Sequence, residues 1–145
     1  MTRRKVRIGR CYRCVYEWRM RDRNPRVCPR CKSRLWRVPK IRPVVLGKGL
    51  GIEEVLGPHR SEILRLARRY GVSSVRVFGS VRRREATPKS DVDLLVRWKK
   101  RHSLLDRAGL RSDIEETLGR RVDLVNEGGI AWPISPQIEA EAIPL

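Results

Sequence analysis

The sequence predicts an α+β or α/β fold in two parts, a small cysteine-rich N-terminal module and a second domain of short strands and helices. Three observations support this division. All four cysteines of the 145-residue chain fall within residues 11–31. Two prolines interrupt the chain near residue 40, and the longer segments with strand or helix periodicity follow after residue 57. Residues 1–50 hold 17 Lys and Arg against two acids, a net charge of +15, whereas residues 51–145 have a net charge of +3.

The positive charge of the first module restricts its class of partner. A dense cationic module attracts phosphate backbones or an acidic protein surface, although a purely solubilising surface would have the same composition. Arg outnumbers Lys 27 to 7, which favours bidentate contacts with phosphates and is equally explained by genome composition. No apolar stretch approaches the roughly 18 residues of a membrane span, and no apolar segment follows the charged start as in a secretory signal. We therefore expect a cytoplasmic protein without membrane association.

The cysteines form two C-x-x-C pairs, Cys11 with Cys14 and Cys28 with Cys31, separated by 13 residues. Each pair can present two thiolates to one ion, and the two pairs together complete a tetrahedral zinc site. Four thiolates leave no position for water, so the Zn²⁺ is predicted to be structural. Disulfides are the alternative, which a reducing cytoplasm and the paired spacing disfavour.

Residues 1–38 are predicted to form this module, with short strands at Val15–Trp18 and Leu35–Val38. We expect Trp18 and Trp36 to cover the metal site as a small core, in preference to stacking on nucleic acid. The segment CYRCVYEWRMRDRNPRVCPRCKSRLW resembles the zinc ribbons at the N-termini of small archaeal proteins. That resemblance implies a rubredoxin-like pair of metal-binding turns.

Residues 39–56 are interpreted as a linker. Pro39 and Pro43 favour an extended chain. The stretch Gly47–Gly51 fails both phosphate-loop templates, because Ile52 stands where G-x-G-x-x-G needs glycine and no G-K-S/T follows. We interpret it as a flexible connection.

The second domain, residues 57–145, begins with a helical pattern from Pro58 to a C-cap at Gly71. Strands are predicted at 75–78, 91–96 and 121–125. An apolar helical face over 104–118 indicates one helix, or two, with the capping-box pattern at Ser112 favouring a restart there. Ser135 and Pro136 are predicted to open a last helix.

Candidate site residues follow the first of these strands. Gly79 lets the backbone approach a bound phosphate group closely, and Ser80 offers a hydroxyl beside the N–H groups of a following turn. Asp91 and Asp93 are two residues apart on a strand, so their carboxylates share one face. Asp123 joins them if its strand is adjacent; otherwise it is a surface acid. Such carboxylates need a cation, and Mg²⁺ fits carboxylates combined with nucleotide phosphates.

The pattern G-S-x₁₀-D-x-D, within GSVRRREATPKSDVDLLV and followed by a third Asp, resembles the minimal nucleotidyltransferases of the polymerase-β-like superfamily. The resemblance covers about residues 58–143. It implies a short mixed sheet flanked by helices. It also implies that Asp91, Asp93 and Asp123 are catalytic Mg²⁺ ligands, and that Gly79, Ser80 and Arg83 bind the nucleotide.

The same resemblance implies transfer of a nucleoside monophosphate, with ATP as the expected donor and pyrophosphate as the leaving group. Members of the group often accompany HEPN toxins as antitoxins, and some transfer AMP to a toxin tyrosine. The family loop often reads GSxARGEATPxSDxDLLV, so Arg84 stands here in place of a usual Gly. A left-handed glycine position would be strained by Arg.

The sequence thus predicts a Mg²⁺-dependent nucleotidyltransferase of antitoxin type, partnered with a HEPN toxin and carrying a zinc ribbon as a targeting module that binds nucleic acid. The alternative is a zinc-ribbon nucleic-acid-binding regulator that uses the transferase fold as a partner-binding scaffold. A zinc-ribbon component of a transcription or translation assembly would leave the Asp residues unexplained. The acceptor stays open among a protein tyrosine, a tRNA 3′ end and a small molecule.

Overall fold

The computed structural model describes residues 6–145, which divide into two compact units, one ending at Arg42 and the other comprising Pro43–Leu145. The first five residues of the predicted 1–38 module, including three of its basic side chains, lie outside the described residues. Within the described part, no helix has the length and apolar character needed to span a membrane.

The N-terminal unit contains one antiparallel strand pair, β1 (Ile8–Arg10) and β2 (Glu17–Arg19). The strand predicted from Val15 begins two residues later, because Val15 has a φ of 61° and the chain turns there. The strand predicted at Leu35–Val38 is wrong. These residues form a turn closed by the Val38 N–H donating to the Leu35 carbonyl at 3.1 Å.

The second unit is a four-stranded mixed sheet with helices, which confirms the expected architecture. Its strands are β3 (Val72–Phe78), β4 (Val92–Trp98), β5 (Val122–Asn126) and β6 (Ile143–Pro144). The sheet order is β5-β4-β3-β6, with β4 and β5 parallel and the other pairs antiparallel. The helices are α1 (Ile52–Val55), α2 (Arg60–Arg69), α3 (Gly79–Arg82), α4 (Leu104–Leu118) and α5 (Ser135–Glu141).

Both faces of the central strand β4 are buried, which explains its nearly continuous apolar sequence. Leu94 and its same-face neighbours pack with Ile63 of α2 and Ile114 of α4. Leu95, on the other face, packs with Phe78 and Ala142. The sheet is therefore held from both sides around the beginning of β4, where the candidate Asp residues lie.

The helix predicted to restart at Ser112 is instead continuous from Leu104 to Leu118. Its N-terminus is capped by Ser103, whose hydroxyl accepts the Asp106 N–H at 3.1 Å. Gly109 lies inside this helix, and its lack of a side chain leaves room for Tyr70, the residue that follows α2. A Cβ at Gly109 would lie 2.9 Å from the Tyr70 hydroxyl oxygen.

The segment Gly47–Gly51, interpreted above as a flexible connection, is instead hydrogen-bonded to the loop after α3. The Gly47 N–H donates to the Arg83 carbonyl at 2.7 Å, and the Gly49 N–H donates to the Arg84 carbonyl at 2.6 Å. Both glycines are needed for this contact, since a Cβ at either would meet a loop carbonyl oxygen at 2.7–2.8 Å. Beyond this segment, Leu56 is fully buried in the core of the second unit.

Candidate active site and metal centre

The structure brings the three candidate aspartates together at one end of the sheet, where β4 and β5 begin. Parallel pairing of β4 with β5 sets Asp93 directly opposite Asp123. Asp91 stands two residues before Asp93 and lines the same cavity of about 250 Å³ as the other two carboxylates. The cavity is also lined by Arg111 and Arg121.

The electrostatics of this cluster favour a bound cation. Burial of the Asp93 side chain, followed by the negative charges of Asp123 and Asp91, raises the pKa of the Asp93 carboxyl. A site that disfavours its own ionised carboxylate is stabilised when a divalent cation neutralises it. The donor set consists of carboxylate oxygens, and Mg²⁺ prefers such hard ligands in combination with substrate phosphates.

Gly79 lies at the junction of β3 and α3 with a φ of 72°, a conformation that glycine adopts without steric penalty. A Cβ there would lie 2.0 Å from Oδ2 of Asp93. The sequence predicted a close approach of the Gly79 backbone to a phosphate group; the structure shows a close approach to Asp93. Only glycine, whose side chain is a single hydrogen atom, fits at this position. Among the described residues, the adjacent Ser80 hydroxyl makes no hydrogen bond.

Glu141, at the end of α5, is a site residue that the sequence analysis missed. Its side chain is 8% exposed, and its Oε1 accepts hydrogen bonds from the Gly79 N–H at 2.9 Å and from Arg83 Nη1 at 2.8 Å. Arg83, expected to bind the nucleotide, also donates through Nε to Glu85 at 2.8 Å. Nothing in the local sequence separates Glu141 from the exposed Glu139 of the same helix, since its role depends on contacts about 60 residues away along the chain.

Arg84 occupies the left-handed region, with a φ of 56°. This conformation fits the glycine that stands at this position in the loop pattern of the family resemblance. The Arg84 guanidinium donates to Glu54 Oε1 at 2.7 Å, so an ion pair to α1 accompanies the strained backbone.

The four cysteines of the first unit converge on one point, with their Sγ atoms all within 4.8 Å of one another. The Sγ atoms of Cys11 and Cys31 are 3.7 Å apart, and those of Cys14 and Cys28 are also 3.7 Å apart. A disulfide requires about 2.05 Å. Ligands placed tetrahedrally at a Zn–S distance of about 2.3 Å lie about 3.8 Å apart, so the donor set fits a zinc ion.

The pKa values of two thiols in this cluster are shifted in opposite directions. Burial, together with hydrogen bonds to the other three thiols, raises the pKa of Cys14 to about 12. Burial also acts on Cys28, but the backbone N–H groups of Cys31 and Arg30 prevail and lower its pKa to about 7. A cation at the centre of the cluster favours the thiolate form of the surrounding sulfurs.

Comparison with known proteins agrees with this geometry. Residues 60–145 match the family model described as nucleotidyltransferase domain. The protein adenylyltransferase MntA of Thermococcus cleftensis is 39% identical over 92 residues, which are 63% of this chain and 90% of that protein.

Two solved structures resemble the second unit. One, assigned as a minimal nucleotidyltransferase, is 45% identical with a TM-score of 0.59 and covers 68% of this chain and 100% of its own. The other, a toxin–antitoxin structure with AMP-PNP, shares the fold at 20% identity and a TM-score of 0.53. It covers 59% of this chain and 71% of its own.

Proposed function

This chain belongs to the nucleotidyltransferase domain family, and we propose that it transfers AMP from ATP to a hydroxyl group of a protein partner. The observation that carries the proposal is the cluster of Asp91, Asp93 and Asp123 in one cavity beside the Gly79–Ser80 turn. The sequence relatives named as protein adenylyltransferases support AMP as the transferred group and protein as the acceptor class.

The reaction needs the acceptor oxygen to attack the α-phosphorus while the bond to the bridging oxygen of pyrophosphate breaks. Asp91, Asp93 and Asp123 would hold Mg²⁺, which supplies charge neutralisation and orientation of the phosphates. Asp123, an exposed residue that lines the cavity, takes the proton of the attacking hydroxyl in this proposal. Pyrophosphate leaves with the electron pair of the broken bond.

The Gly79–Ser80 turn is the proposed phosphate-binding element. Ser80 donates its hydroxyl to a phosphate oxygen. Arg83, already held beside the turn by Glu141 and Glu85, contributes positive charge toward the leaving pyrophosphate.

For the partner, we propose a HEPN-type toxin whose tyrosine receives AMP, so that the chain acts as an antitoxin. The resemblance to minimal nucleotidyltransferases supports this, together with the adenylyltransferase relatives. The ribbon carries structural Zn²⁺ and directs the enzyme to a nucleic acid. The charge of +15 over residues 1–50 supports that role. The same charge favours the second candidate function, a nucleic-acid-binding regulator that uses the transferase fold only as a scaffold.

The experiment is transfer of label from α-labelled ATP, with Mg²⁺, to a HEPN-type protein encoded beside this chain. The Asp91→Asn, Asp93→Asn double variant should lose transfer by at least about 10²-fold, because the site then lacks two cation ligands. Ser80→Ala should weaken ATP binding by only about 1 kcal/mol. Glu116→Gln removes an exposed acid of α4 and serves as the control with full activity.

Transfer by the double variant at the wild-type rate would show that the assigned site is wrong. Wild-type protein that transfers no label to the protein, to tRNA or to small hydroxyl compounds, yet neutralises its partner, would establish the scaffold function instead. Label on tRNA alone would replace the protein acceptor with an RNA 3′ end.

A further inference from the structure

The N-terminal unit contains a concave surface that neither the zinc site nor the transfer reaction uses. We call it the ribbon groove, a depression of about 450 Å³ on the first unit. Its lining combines apolar side chains with three arginines and one acid. The apolar residues, called the floor below, are Tyr16, Trp18, Pro25, Val27 and Pro29, and the charged residues, called the rim, are Arg19, Arg21, Arg26 and Asp22.

The aromatic part of the floor is rigidly supported. Trp18 lies opposite Gly9 across the strand pair, and a Cβ at Gly9 would come within 2.6 Å of the indole ring. Trp36 packs edge-on against Trp18 at 4.9 Å and donates its indole N–H to the Pro25 carbonyl at 3.1 Å. These contacts hold the Trp18 indole and the loop at Pro25 in place. The core role expected for Trp18 and Trp36 explains these packing contacts. It does not explain why the groove beside them is open to solvent.

Tyr16 extends the aromatic surface toward solvent. The residue is 37% exposed, and its ring stacks on that of Trp18, with 9° between the ring planes and 6.1 Å between centroids. The Arg30 guanidinium lies over the Tyr16 ring, 5.7 Å from its centroid. Stacked aromatic rings with a guanidinium beside them are the elements with which proteins bind the bases of single-stranded nucleic acid.

The rim arginines are unpaired in the part of the chain that the structure describes. Arg19, Arg21 and Arg26 are exposed, and the structure from residue 6 onward gives them neither a hydrogen bond nor an ion pair. Other arginines of the same unit are engaged. Arg10 pairs with Glu17 at 3.2 Å, and Arg37 donates to Asn24. Three guanidinium groups against the one carboxylate of Asp22 leave the rim with a net positive charge, which attracts an anion.

We propose that the ribbon groove binds single-stranded nucleic acid, with a base on the Tyr16–Trp18 floor and the flanking phosphates on Arg19, Arg21 and Arg26. A groove of this volume is within the range for small-ligand sites and can hold a nucleobase with its ribose. A duplex hides its base faces and could use only the rim. An acidic peptide would also pair with the rim arginines. Its carboxylates, however, gain no favourable contact with the exposed aromatic rings of the floor.

This proposal rests on the nucleic-acid role proposed for the ribbon and names the form of nucleic acid and the residues that recognise it. Binding is measured on the full zinc-loaded chain by fluorescence anisotropy, with a labelled 12-nucleotide single-stranded RNA and a hairpin duplex of the same composition. We expect the single strand to bind at least about tenfold tighter. Tyr16→Ala should weaken single-strand binding about tenfold, whereas Tyr16→Phe, which keeps the ring, should not.

The rim is tested by salt dependence. The Arg19→Gln, Arg21→Gln, Arg26→Gln variant should reduce the slope of log affinity against log salt by about 2, as expected for about three lost phosphate contacts with a single strand. The control Arg60→Gln, Arg68→Gln, Arg69→Gln removes the same charge from exposed positions of the second unit and should leave the slope nearly unchanged. Zinc content, measured for every variant, shows whether the ribbon remains folded.

Equal affinity for hairpin and single strand, with no effect of Tyr16→Ala, would overturn the proposal. The first unit would then bind nucleic acid only through its positive charge. Failure to bind either RNA, with binding to polyglutamate instead, would overturn it in favour of an acidic protein partner. The Asp91→Asn, Asp93→Asn variant should bind RNA like wild type, and the groove variants should transfer AMP to the protein partner at the wild-type rate. A failed transfer reaction is therefore distinguishable from a failed groove.

Discussion

Among single residues, Asp93 has the most unfavourable electrostatic environment of the three clustered aspartates. Asp93 lies beside two other carboxylates and against the backbone of Gly79, and its pKa is raised by burial and by those charges. Nothing in folding alone requires three acids here. In the absence of a cation, the repulsion between them lowers the free energy of unfolding.

The variant Asp93→Asn should therefore raise the melting temperature of the metal-free protein while abolishing AMP transfer. Asparagine keeps the size of the side chain and removes one of the repelling charges. Thermal unfolding in the presence of a chelator and in excess Mg²⁺ checks this. The gain should shrink in Mg²⁺, because wild type is then stabilised by the bound cation. A lower melting temperature without metal would contradict the repulsion argument.

Arg84 provides a second residue-scale prediction. Its φ of 56° strains any side chain with a Cβ, and its ion pair with Glu54 joins half-exposed groups. Arg84→Gly and Arg84→Ala both remove the ion pair, but only glycine removes the strain. The glycine variant should be more stable than the alanine variant by about 1 kcal/mol in urea unfolding. Equal stabilities would mean that the loop relaxes around the side chain.

At the scale of elements, three arginines bond to the C-terminal end of α5 and the residue after it. One belongs to β3, one to α3, and one follows α3 directly. Arg76 donates to the Ala142 carbonyl at 2.8 Å, Arg82 donates to the Glu141 carbonyl at 3.2 Å, and Arg83 binds the Glu141 carboxylate. The C-terminal segment thereby fixes the turn that we propose to bind phosphate. Glu141 is a positioning residue in this arrangement.

Glu141→Ala should destabilise the second unit by about 1–3 kcal/mol, because the buried Gly79 N–H loses its acceptor. It should also raise the KM for ATP more than it lowers kcat. Glu141→Gln retains an acceptor oxygen and should restore much of the stability. Glu139→Gln, at a more exposed position of the same helix, is the matched control. A Glu141→Ala protein with wild-type KM and reduced stability would limit Glu141 to a structural role.

At the scale of the whole molecule, the two units differ in what holds them together. The second unit has an extended core around the mixed sheet. In the described part of the first unit, the buried side chains are those of Cys11, Cys28 and Trp36. So small a core offsets little of the conformational entropy of the chain, and we expect metal binding at the four cysteines to supply the difference.

Removal of zinc should accordingly unfold the ribbon and leave the second unit folded. In two-dimensional NMR of the full chain, a strong chelator should collapse the signals of the first unit and preserve those of residues 43–145. Cys31→Ser, which removes one ligand, should give the same result with substoichiometric zinc. Dispersed ribbon signals in metal-free protein would show that the metal is dispensable for folding.

The sequence by itself identified features whose physics is local. The two C-x-x-C turns that meet at one point are set by short spacing, and so is the shared face of Asp91 and Asp93. A family resemblance added the mixed sheet, which the structure confirms, and the site roles, which stay predictions. Local pattern also misled: the apolar residues at Leu35–Val38 suggested a strand, and the capping pattern at Ser112 suggested a helix start that the upstream cap at Ser103 overrides.

The tertiary structure decided everything that depends on segments far apart in the chain. The register of β4 against β5 sets Asp123 beside Asp93, and the return of α5 places Glu141 under Gly79. The glycines at 47 and 49 proved to be sites of backbone contact with the loop at 83–84. Each of these contacts joins residues that are far apart in the sequence, so it contributes to stability only once the chain has folded. A sequence records which side chains could take part in such an approach, and folding determines which of them meet.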